Sequence, residues 1–196
     1  MSRTSTIHRV TTETDVRVSL LLDGVGKADI ATGVGFLDHM LSALARHALF
    51  DLAIEAKGDL EIDAHHTTED VGIVLGQALR EALGEKRGIC RFGHALVPMD
   101  EALVEAAVDL SGRPHLAWAI TFSGQRLGTM DTELFREFFS AVATNALLTL
   151  HLTQRAGENA HHLAEATFKA AARALSMAVA REPRLGDAVP STKGRL

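Results

Sequence analysis

The sequence predicts an α+β fold made of two copies of a β-β-α-β-α module, with two sheets backed by helices and related by a pseudo-twofold axis. The first observation is a repeated motif: HHTTED at 65–70 and HHLAEA at 161–166 share His-His-x-x-Glu at an offset of 96. The second is a match between residues 35–54 and residues 133–152 at an offset of 98. A loop shorter by two residues in the second copy reconciles the offsets. Such self-similarity indicates a duplicated structural unit.

Hydrophobic periodicity predicts the elements of the first copy. Residues 12–30 alternate as strands do, around an Asp23-Gly24 turn signal. Residues 36–48 carry leucine and methionine at helical spacing. The pattern then predicts, in chain order, a strand at 50–56, a turn at Lys57-Gly58-Asp59, another short strand, and a helix from about 65 to 83 that ends near Gly84.

The second copy repeats this order. Its predicted elements are strands near 91–98, 102–110 and 115–122, a helix at about 131–146, a strand at 147–154 and an alanine-rich helix at about 159–181. Pro183 stops the last helix. No linker rich in Pro, Gly or Ser divides the halves, so we expect one compact unit. It comprises a first repeat at 1–90, a second repeat at 91–185 and a C-terminal tail at 186–196.

Composition limits the classes of partner. The chain has 196 residues and a net charge of -5, so it has no general attraction for nucleic acid or anionic membranes. Cys90 is the one cysteine, which excludes an intramolecular disulfide and fits a reducing compartment. The N-terminus lacks the apolar stretch of a signal peptide, and no run approaches the roughly 18–20 apolar residues of a membrane span. We expect a soluble, cytoplasmic protein.

Ten histidines accompany a complete lack of tyrosine, and the clustering of the histidines indicates metal binding. In HHxxE at the start of a helix, His65 and Glu69 are i,i+4 neighbours that can share a face. Adjacent histidines point about 100° apart on a helix, so one pair cannot easily hold one ion. Each pair should therefore divide its imidazoles between two sites. Two copies then assemble two sites, which draw on both repeats or on neighbouring subunits.

The repeat alignment adds a ligand position on the preceding helix, where His39 corresponds to Glu137. Because no thiolate is included, N/O ligation suits Mn, Fe, Co, Ni or Zn. Four protein ligands on an octahedral ion leave two positions open for substrate or water. The candidate ligands, four for each of two sites, are His39, His65, His66, Glu69, Glu137, His161, His162 and Glu165.

The remaining histidines are less informative. His151 lies opposite Ala53 in the repeat alignment, and it is either a residue that orients a ligand or an ordinary strand histidine. Those without a partner in the repeat are predicted to be structural: His8, His47, His94 and His115.

Segments covering nearly the whole chain resemble the imidazoleglycerol-phosphate dehydratase family, in the family's order. They are TGVGFLDHML, DAHHTTEDVGI, RFGHALVPMDEA, DLSGRP, ENAHHLAEATFKA and PSTKG. The resemblance implies loss of water from D-erythro-imidazole-glycerol phosphate to give imidazole acetol phosphate, a step of histidine biosynthesis. It also implies two manganese ions per active site and modules like the second domain of ribosomal protein S5. Family members form closed shells of twenty-four subunits with active sites between subunits, so a large homo-oligomer is implied here.

The resemblance also implies roles for single residues. The segment VTTETDV matches a family segment whose glutamate acts as acid and base, which places that role on Glu13. Glu69 and Glu165 join it as candidate catalytic carboxylates. Asp100 and Glu101 are candidates for orienting ligands or substrate. Around the substrate phosphate the family pattern places Arg91, Arg113, Lys169, Ser191 and Lys193.

Two positions depart from the family pattern. Several members carry histidine where this chain has Glu137, so the third ligand of one site is either a carboxylate or is replaced by His151. Ala43 stands where some members have glutamine, which removes one polar contact.

Three other functions compete with the dehydratase hypothesis. A metal-dependent hydrolase would use the same ions to activate water but would not need the Arg and Lys phosphate cluster. A non-catalytic RNA-binding module conflicts with the acidic balance and the lack of a basic aromatic patch. A metal-storage shell would leave Glu13 and the STKG tail without a role.

Overall fold

The computed structural model describes residues 3–196, which form ten strands, four α-helices and one short 3₁₀ helix. The strands are β1 (Thr4–Val10), β2 (Thr14–Leu21), β3 (Ala28–Ala31), β4 (Asp51–Gly58), β5 (Phe92–Met99), β6 (Ala102–Asp109), β7 (His115–Ala119), β8 (Arg126–Leu127), β9 (Met130–Asp131) and β10 (Thr149–Ala156). The helices are α1 (Gly35–Ala48), α2 (His65–Leu83), α3 (Leu134–Ala146), α4 (Ala160–Val179) and the 3₁₀ segment Pro183–Leu185.

The two four-stranded sheets have the same topology. Their strand orders are β1-β2-β4-β3 and β5-β6-β10-β7. In the first sheet, β2 pairs antiparallel with β1 and β4, and β3 runs parallel to β4. The second sheet repeats these directions with β6, β5, β10 and β7. The predicted α+β class with two sheets and helices is therefore confirmed. The structure adds a third strand, β1, before the first helix of the first module, where the sequence predicted two, and it adds the small β8-β9 hairpin.

The helices form a layer between the sheets. Helix α2 packs on β1 and β2, and α4 packs on β5 and β6. The helices also pack on one another, α2 against α3 and α4 against α1. The inner strands β2, β4, β6 and β10 turn one face to this layer, as β2 shows with its buried Val16, Val18 and Leu20. The first-module helices thus contact the second-module helices, and one hydrophobic core joins both copies.

Small residues set the distance between α2 and α3. A Cβ added to Gly72 would lie 2.8 Å from the Phe138 carbonyl oxygen and 2.9 Å from Ala141 Cβ. A Cβ on Gly76, one turn later, would lie 2.8 Å from the Val142 carbonyl oxygen. Larger side chains here would push the helices apart, because protein interiors are close-packed.

The predicted short strand after Lys57-Gly58-Asp59 is wrong. Residues 59–64 form a turn, in which the Ile62 amide donates to the Asp59 carbonyl at 2.9 Å. Ile62 is 67% exposed, so the apolar alternation in this segment marks no buried face. Among residues 3–196, no helix is both long and apolar enough to cross a membrane.

Candidate metal centre

Three predicted ligands from both modules meet at the start of two packed helices. His39 on α1 and His161 on α4 lie with their Nε2 atoms 3.4 Å and 3.2 Å from Glu165 Oε2. The ligand atoms of the three residues all lie within 4.8 Å of one another. Within the described range, this is the one group of three or more such donors that is close enough to hold an ion. Two imidazoles and a carboxylate suit a divalent transition metal.

Glu165 is held between this group and a lysine. Its side chain is 12% exposed, and its Oε1 accepts an ion-paired hydrogen bond from Lys169 Nζ at 2.7 Å. Burial pushes the pKa of Glu165 upward, but the Lys169 ammonium and the hydrogen bond from His161 outweigh it and hold the pKa below its ordinary value. The carboxylate therefore stays charged, as a metal ligand must.

The equivalent position in the other module is less complete. On α2, His65 Nε2 lies 4.0 Å from Glu69 Oε2, and both side chains are more than two-fifths exposed. Glu137, on α3, is the repeat partner of His39. Its carboxylate makes no ion pair within the part of the chain that is described, and it joins no group of three metal-binding donors there. One chain thus assembles two ligands at this position and three at the other.

The second histidine of each motif turns to a different set of carboxylates. The rings of His65 and His66 stand at 87° to each other, and those of His161 and His162 at 84°. Because neighbouring rings are nearly perpendicular, the members of a pair face different surroundings. This is the geometry expected if each pair serves two sites.

His66 and His162 are each bound through Nδ1. His66 Nδ1 lies 2.9 Å from Asp59 Oδ2, and His162 Nδ1 lies 2.7 Å from Glu101 Oε2. These hydrogen bonds raise the pKa of both histidines. The bond from His162 and the backbone amide of Asn159 lower the pKa of Glu101 to about 2. A neutral imidazole that donates a hydrogen bond from Nδ1 has its lone pair on Nε2, where it is available to a metal ion.

The predicted acid–base residue lies beside this group. Glu13 Oε2 is 3.9 Å from His66 Nδ1, and its side chain is 54% exposed. Asp100, the other carboxylate in the β5-β6 turn, lies 3.6 Å from His162 Nε2. Each acid comes from the turn between the first two strands of its own module, Glu13 between β1 and β2 and Asp100 between β5 and β6.

The predicted phosphate-binding residues are divided between two places. Arg113, Ser191 and Lys193 line a cavity of about 480 Å³ beside the tail, together with Arg91 and Arg195. Lys169 is elsewhere, paired with Glu165 as described above. The cavity carries several cations, which is the local charge that an acidic protein needs to bind a phosphate.

Arg91 has its donors engaged. Its Nε and Nη2 atoms donate to Asp109 at 2.7 Å and 3.2 Å, and Nη1 donates to the Pro190 carbonyl at 2.8 Å. The guanidinium also lies over the Phe92 ring, 4.7 Å from its centroid. Arg91 therefore fastens the tail to the second sheet, beside the cavity.

His151 lies on the outer face of the second sheet. It pairs in register with Ala107 and Ala117, while its neighbours Leu150 and Leu152 are buried against the helices. The nearest aromatic ring is that of His115, at 6.0 Å between centroids. Because strand side chains alternate between faces, His151 points away from the helix layer. A ligand role for it would require another copy of the chain.

Sequence reasoning did not nominate Asp59 or Arg195. The only local signal for Asp59 is its position in a turn between a strand and HHxxE, and turns favour aspartate for backbone reasons alone. Arg195 stands in a tail that has no periodicity. Tertiary proximity, which periodicity does not encode, reveals both.

Comparison with known proteins agrees with this geometry. The family model described as imidazoleglycerol-phosphate dehydratase matches residues 32–175. The imidazoleglycerol-phosphate dehydratase of Granulibacter bethesdensis is 69% identical over 196 residues, covering 100% of both chains. That of Gluconacetobacter diazotrophicus is 66% identical over 195 residues, covering 100% of this chain and 98% of the relative.

Two solved structures have the same fold. The imidazoleglycerol-phosphate dehydratase of Staphylococcus aureus is 43% identical with a TM-score of 0.83, covering 91% of this chain and 99% of the other. The Pyrococcus furiosus IGPD is 40% identical with a TM-score of 0.84, covering 97% and 100%. Matches of this extent, over a chain that brings His39 on α1 together with His161 and Glu165 on α4, leave one assignment: the chain belongs to the imidazoleglycerol-phosphate dehydratase family.

Proposed function

We propose that this protein removes water from D-erythro-imidazole-glycerol phosphate to form imidazole acetol phosphate in histidine biosynthesis. Family membership supports the dehydratase activity. The observation that carries the proposal is the meeting of His39, His161 and Glu165 across the two modules, with an exposed carboxylate, Glu13, beside His66 of the first module. An elimination needs both an electrophilic centre and a group that moves a proton, and these residues supply candidates for each.

The donor set fits two manganese ions per active site. We assign His39, His161 and Glu165 to one ion, and His65 and Glu69 to the other, with His66 and His162 as further ligands. Glu137 remains a proposed ligand of the second ion, and His151 from a neighbouring chain is the alternative. When bound, the ions would act as Lewis acids that orient the substrate imidazole and favour its deprotonated form.

Glu13 is the proposed acid–base residue. The proton to be removed lies on carbon next to the imidazole ring and is not acidic, so a carboxylate must be close to it. The Glu13 side chain is half exposed and close to His66, so it can reach a substrate held at the ligands. Glu69 and Glu165 act in this proposal as metal-binding carboxylates that also border the reacting atoms.

The substrate phosphate is proposed to bind in the cavity beside the tail. Arg113 and Lys193 supply charge there, and Ser191 supplies a hydroxyl. Arg91 supports the cavity by holding the tail to Asp109 and the second sheet. Lys169 supports Glu165, and it reaches a phosphate only if it leaves that carboxylate.

We propose that the working form is a homo-oligomer, and that the shell of twenty-four subunits implied by the resemblance is its form here. The support is that, among residues 3–196, one chain brings only two of the candidate ligands together around His65, while His151 faces outward. A second chain can supply what is missing. Within each chain, residues 1–90 and 91–185 are the proposed repeats, and 186–196 is the proposed substrate-contacting tail. A cytoplasmic location without nucleic-acid or membrane partners stays a prediction from composition.

The test compares the wild type with Glu165→Ala, both purified without chelator and loaded with manganese. Formation of imidazole acetol phosphate and bound metal are measured in each, and Glu81→Ala, an exposed glutamate on α2, is the matched control. We expect turnover in the wild type and the control, with loss of both metal and activity in Glu165→Ala. Two bound ions per chain without turnover in the wild type would overturn the proposal and favour the hydrolase or storage alternatives.

A further inference from the structure

The two modules place a glutamate at the same position, immediately before the second strand of each sheet. Glu13 precedes β2 at Thr14, and Glu101 precedes β6 at Ala102. Each lies beside the second histidine of the HHxxE motif in its own module. The two glutamates therefore occupy equivalent positions in the duplicated modules, but their contacts differ.

Glu101 is fully engaged. Its Oε2 accepts from His162 Nδ1 at 2.7 Å, and its Oε1 accepts from the backbone amides of Asn159 and Glu158 at 2.9 Å and 3.3 Å. Asn159 is itself the N-cap of α4, where its side chain accepts from the amides of His161 and His162. Glu101 thus ties the His162 ring to the start of its helix and has little freedom to move.

Glu13 is free by comparison. Within residues 3–196 its carboxylate makes no hydrogen bond, and the distance to His66 Nδ1 is 3.9 Å. The reason is that Asp59 occupies this nitrogen at 2.9 Å. The Asp59 side chain is only 15% exposed, and its other oxygen is buried without a hydrogen-bond partner in the described range. Such a buried carboxylate has few alternatives to its bond with His66.

The loop between strand and helix explains the difference. Six residues lie between Gly58 and His65, but only four lie between Ala156 and His161. The longer loop turns at Asp59 and brings a carboxylate back to the histidine at the helix start, whereas the shorter loop contributes backbone amides and the Asn159 side chain there. The two-residue difference between the repeats thus has a chemical consequence.

We propose that Asp59 and Glu101 are positioning residues that present Nε2 of His66 and His162 to the metals, and that Asp59 keeps Glu13 available for proton transfer. This rests on the function proposed above. One ancestral position has two present roles: Glu101 orients a ligand, and Glu13 can act on the substrate because Asp59 has taken over the orienting task. Residues that orient metal-binding histidines in this way are worth roughly 10–100-fold in metal affinity or activity.

Manganese affinity, measured by calorimetry on the whole protein, tests this in a double-mutant cycle of Glu13→Gln and Asp59→Ala. We expect Glu13→Gln to bind manganese like the wild type but to have a lower kcat. In Asp59→Ala, Glu13 can move onto His66 as Glu101 does on His162, so affinity should fall by less than about 10-fold while kcat falls. The double variant has no carboxylate for His66 and should lose roughly 10–100-fold in affinity.

Glu101→Ala should lower manganese affinity on its own by roughly 10–100-fold, because its module lacks a counterpart of Asp59. Glu61→Gln, an exposed change in the same loop as Asp59, is the matched control and should alter neither affinity nor kcat. If Asp59→Ala fails to fold, Asp59→Asn replaces it in the cycle, since a neutral amide is a weaker acceptor of the same shape.

Equal effects of Glu13→Gln on affinity in the presence and absence of Asp59 would overturn the proposal, because the two carboxylates would then not compete for His66. Unchanged affinity and kcat in Asp59→Ala would overturn it as well. If the variants show the expected pattern of manganese affinities but the wild type has no turnover, the dehydratase activity is rejected and the positioning roles are kept. The two failures are therefore distinguishable.

Discussion

Lys169 Nζ lies 2.7 Å from Glu165 Oε1, one turn further along α4, while the opposite oxygen of Glu165 faces His39 and His161. The lysine thus holds one side of the carboxylate and leaves the other side facing the two imidazoles. The family resemblance instead suggested that Lys169 binds the substrate phosphate. Support of Glu165 and binding of the phosphate lead to different predictions.

Lys169→Met should raise the pH below which the protein loses its bound metal. Without the ammonium, burial raises the pKa of Glu165, so the carboxylate takes up a proton at a higher pH than in the wild type. Manganese retained after dialysis, measured against pH, should therefore have a midpoint at higher pH. Lys57→Met, an exposed lysine on β4, is the control. An unmoved midpoint with a raised KM would instead assign Lys169 to the phosphate.

The pair of Glu101 and His162 predicts a pH-dependent stability of the metal-free protein. The hydrogen bond from Glu101 raises the pKa of His162 above 6.5, and Glu101 itself, with a pKa of about 2, is charged throughout. A raised histidine pKa contributes stability that is complete below 6.5 and is lost as pH rises through the folded-state value. The Tm difference between the wild type and Glu101→Gln should be larger at about pH 6 than at about pH 8.5. A difference that grows with pH would contradict this.

Manganese binding should show the opposite trend with pH. Ligand imidazoles must be neutral, and His66 and His162 both have raised pKa values because of Asp59 and Glu101. Affinity should therefore weaken on acidification at a pH above 6.5, earlier than for ordinary histidines. Calorimetric titrations across this range measure it. If the affinity fell only at a pH below the range in which ordinary histidines titrate, the bound metal would not be competing with protons on His66 and His162.

Arg91→Lys should loosen the C-terminal tail. A lysine cannot maintain both the bidentate pair with Asp109 and the bond to the Pro190 carbonyl, so we expect a loss of about 1–3 kcal/mol in the free energy of unfolding. Proteolysis after residue 186 should become faster. Arg126→Lys is the control, because it breaks a similar pair with Asp131 in which the arginine side chain is 69% exposed. It should lower the free energy of unfolding by less than about 1 kcal/mol. Equal stability of both variants would mean that Arg91 serves the cavity alone.

Gly72→Ala should destabilise the protein although alanine favours helices. At an exposed helix position the change would stabilise by about 1 kcal/mol. Here the new Cβ would meet the Phe138 carbonyl oxygen at 2.8 Å, so we expect a net loss of about 1–3 kcal/mol in the free energy of unfolding. Gly35→Ala, where an added Cβ meets nothing within 4 Å, is the control and should be neutral or slightly stabilising. Denaturant unfolding of both variants measures this.

Much of the fold could be predicted because it is encoded locally and then repeated. Helices α1 and α3 are followed by the C-cap residues Leu49 and Leu147, both with left-handed backbone, at the offset of 98 found in the sequence. Periodicity failed where exposed apolar residues imitate a strand, as Leu60 and Ile62 do in the loop before α2. It also missed β1, because the exposed residues of Thr4–Val10 do not stand out as a strand of their own.

The sequence by itself determined the duplication, the α+β class and the repeated HHxxE motif, because these follow from spacing along the chain. Only the tertiary structure decided which residues meet across the modules: His39 with Glu165, Glu101 with His162, and Asp59 rather than Glu13 on His66. The physical reason is that such contacts depend on how helices pack between two sheets and on the length of one loop. Those distances are set by the whole core, which no local pattern specifies.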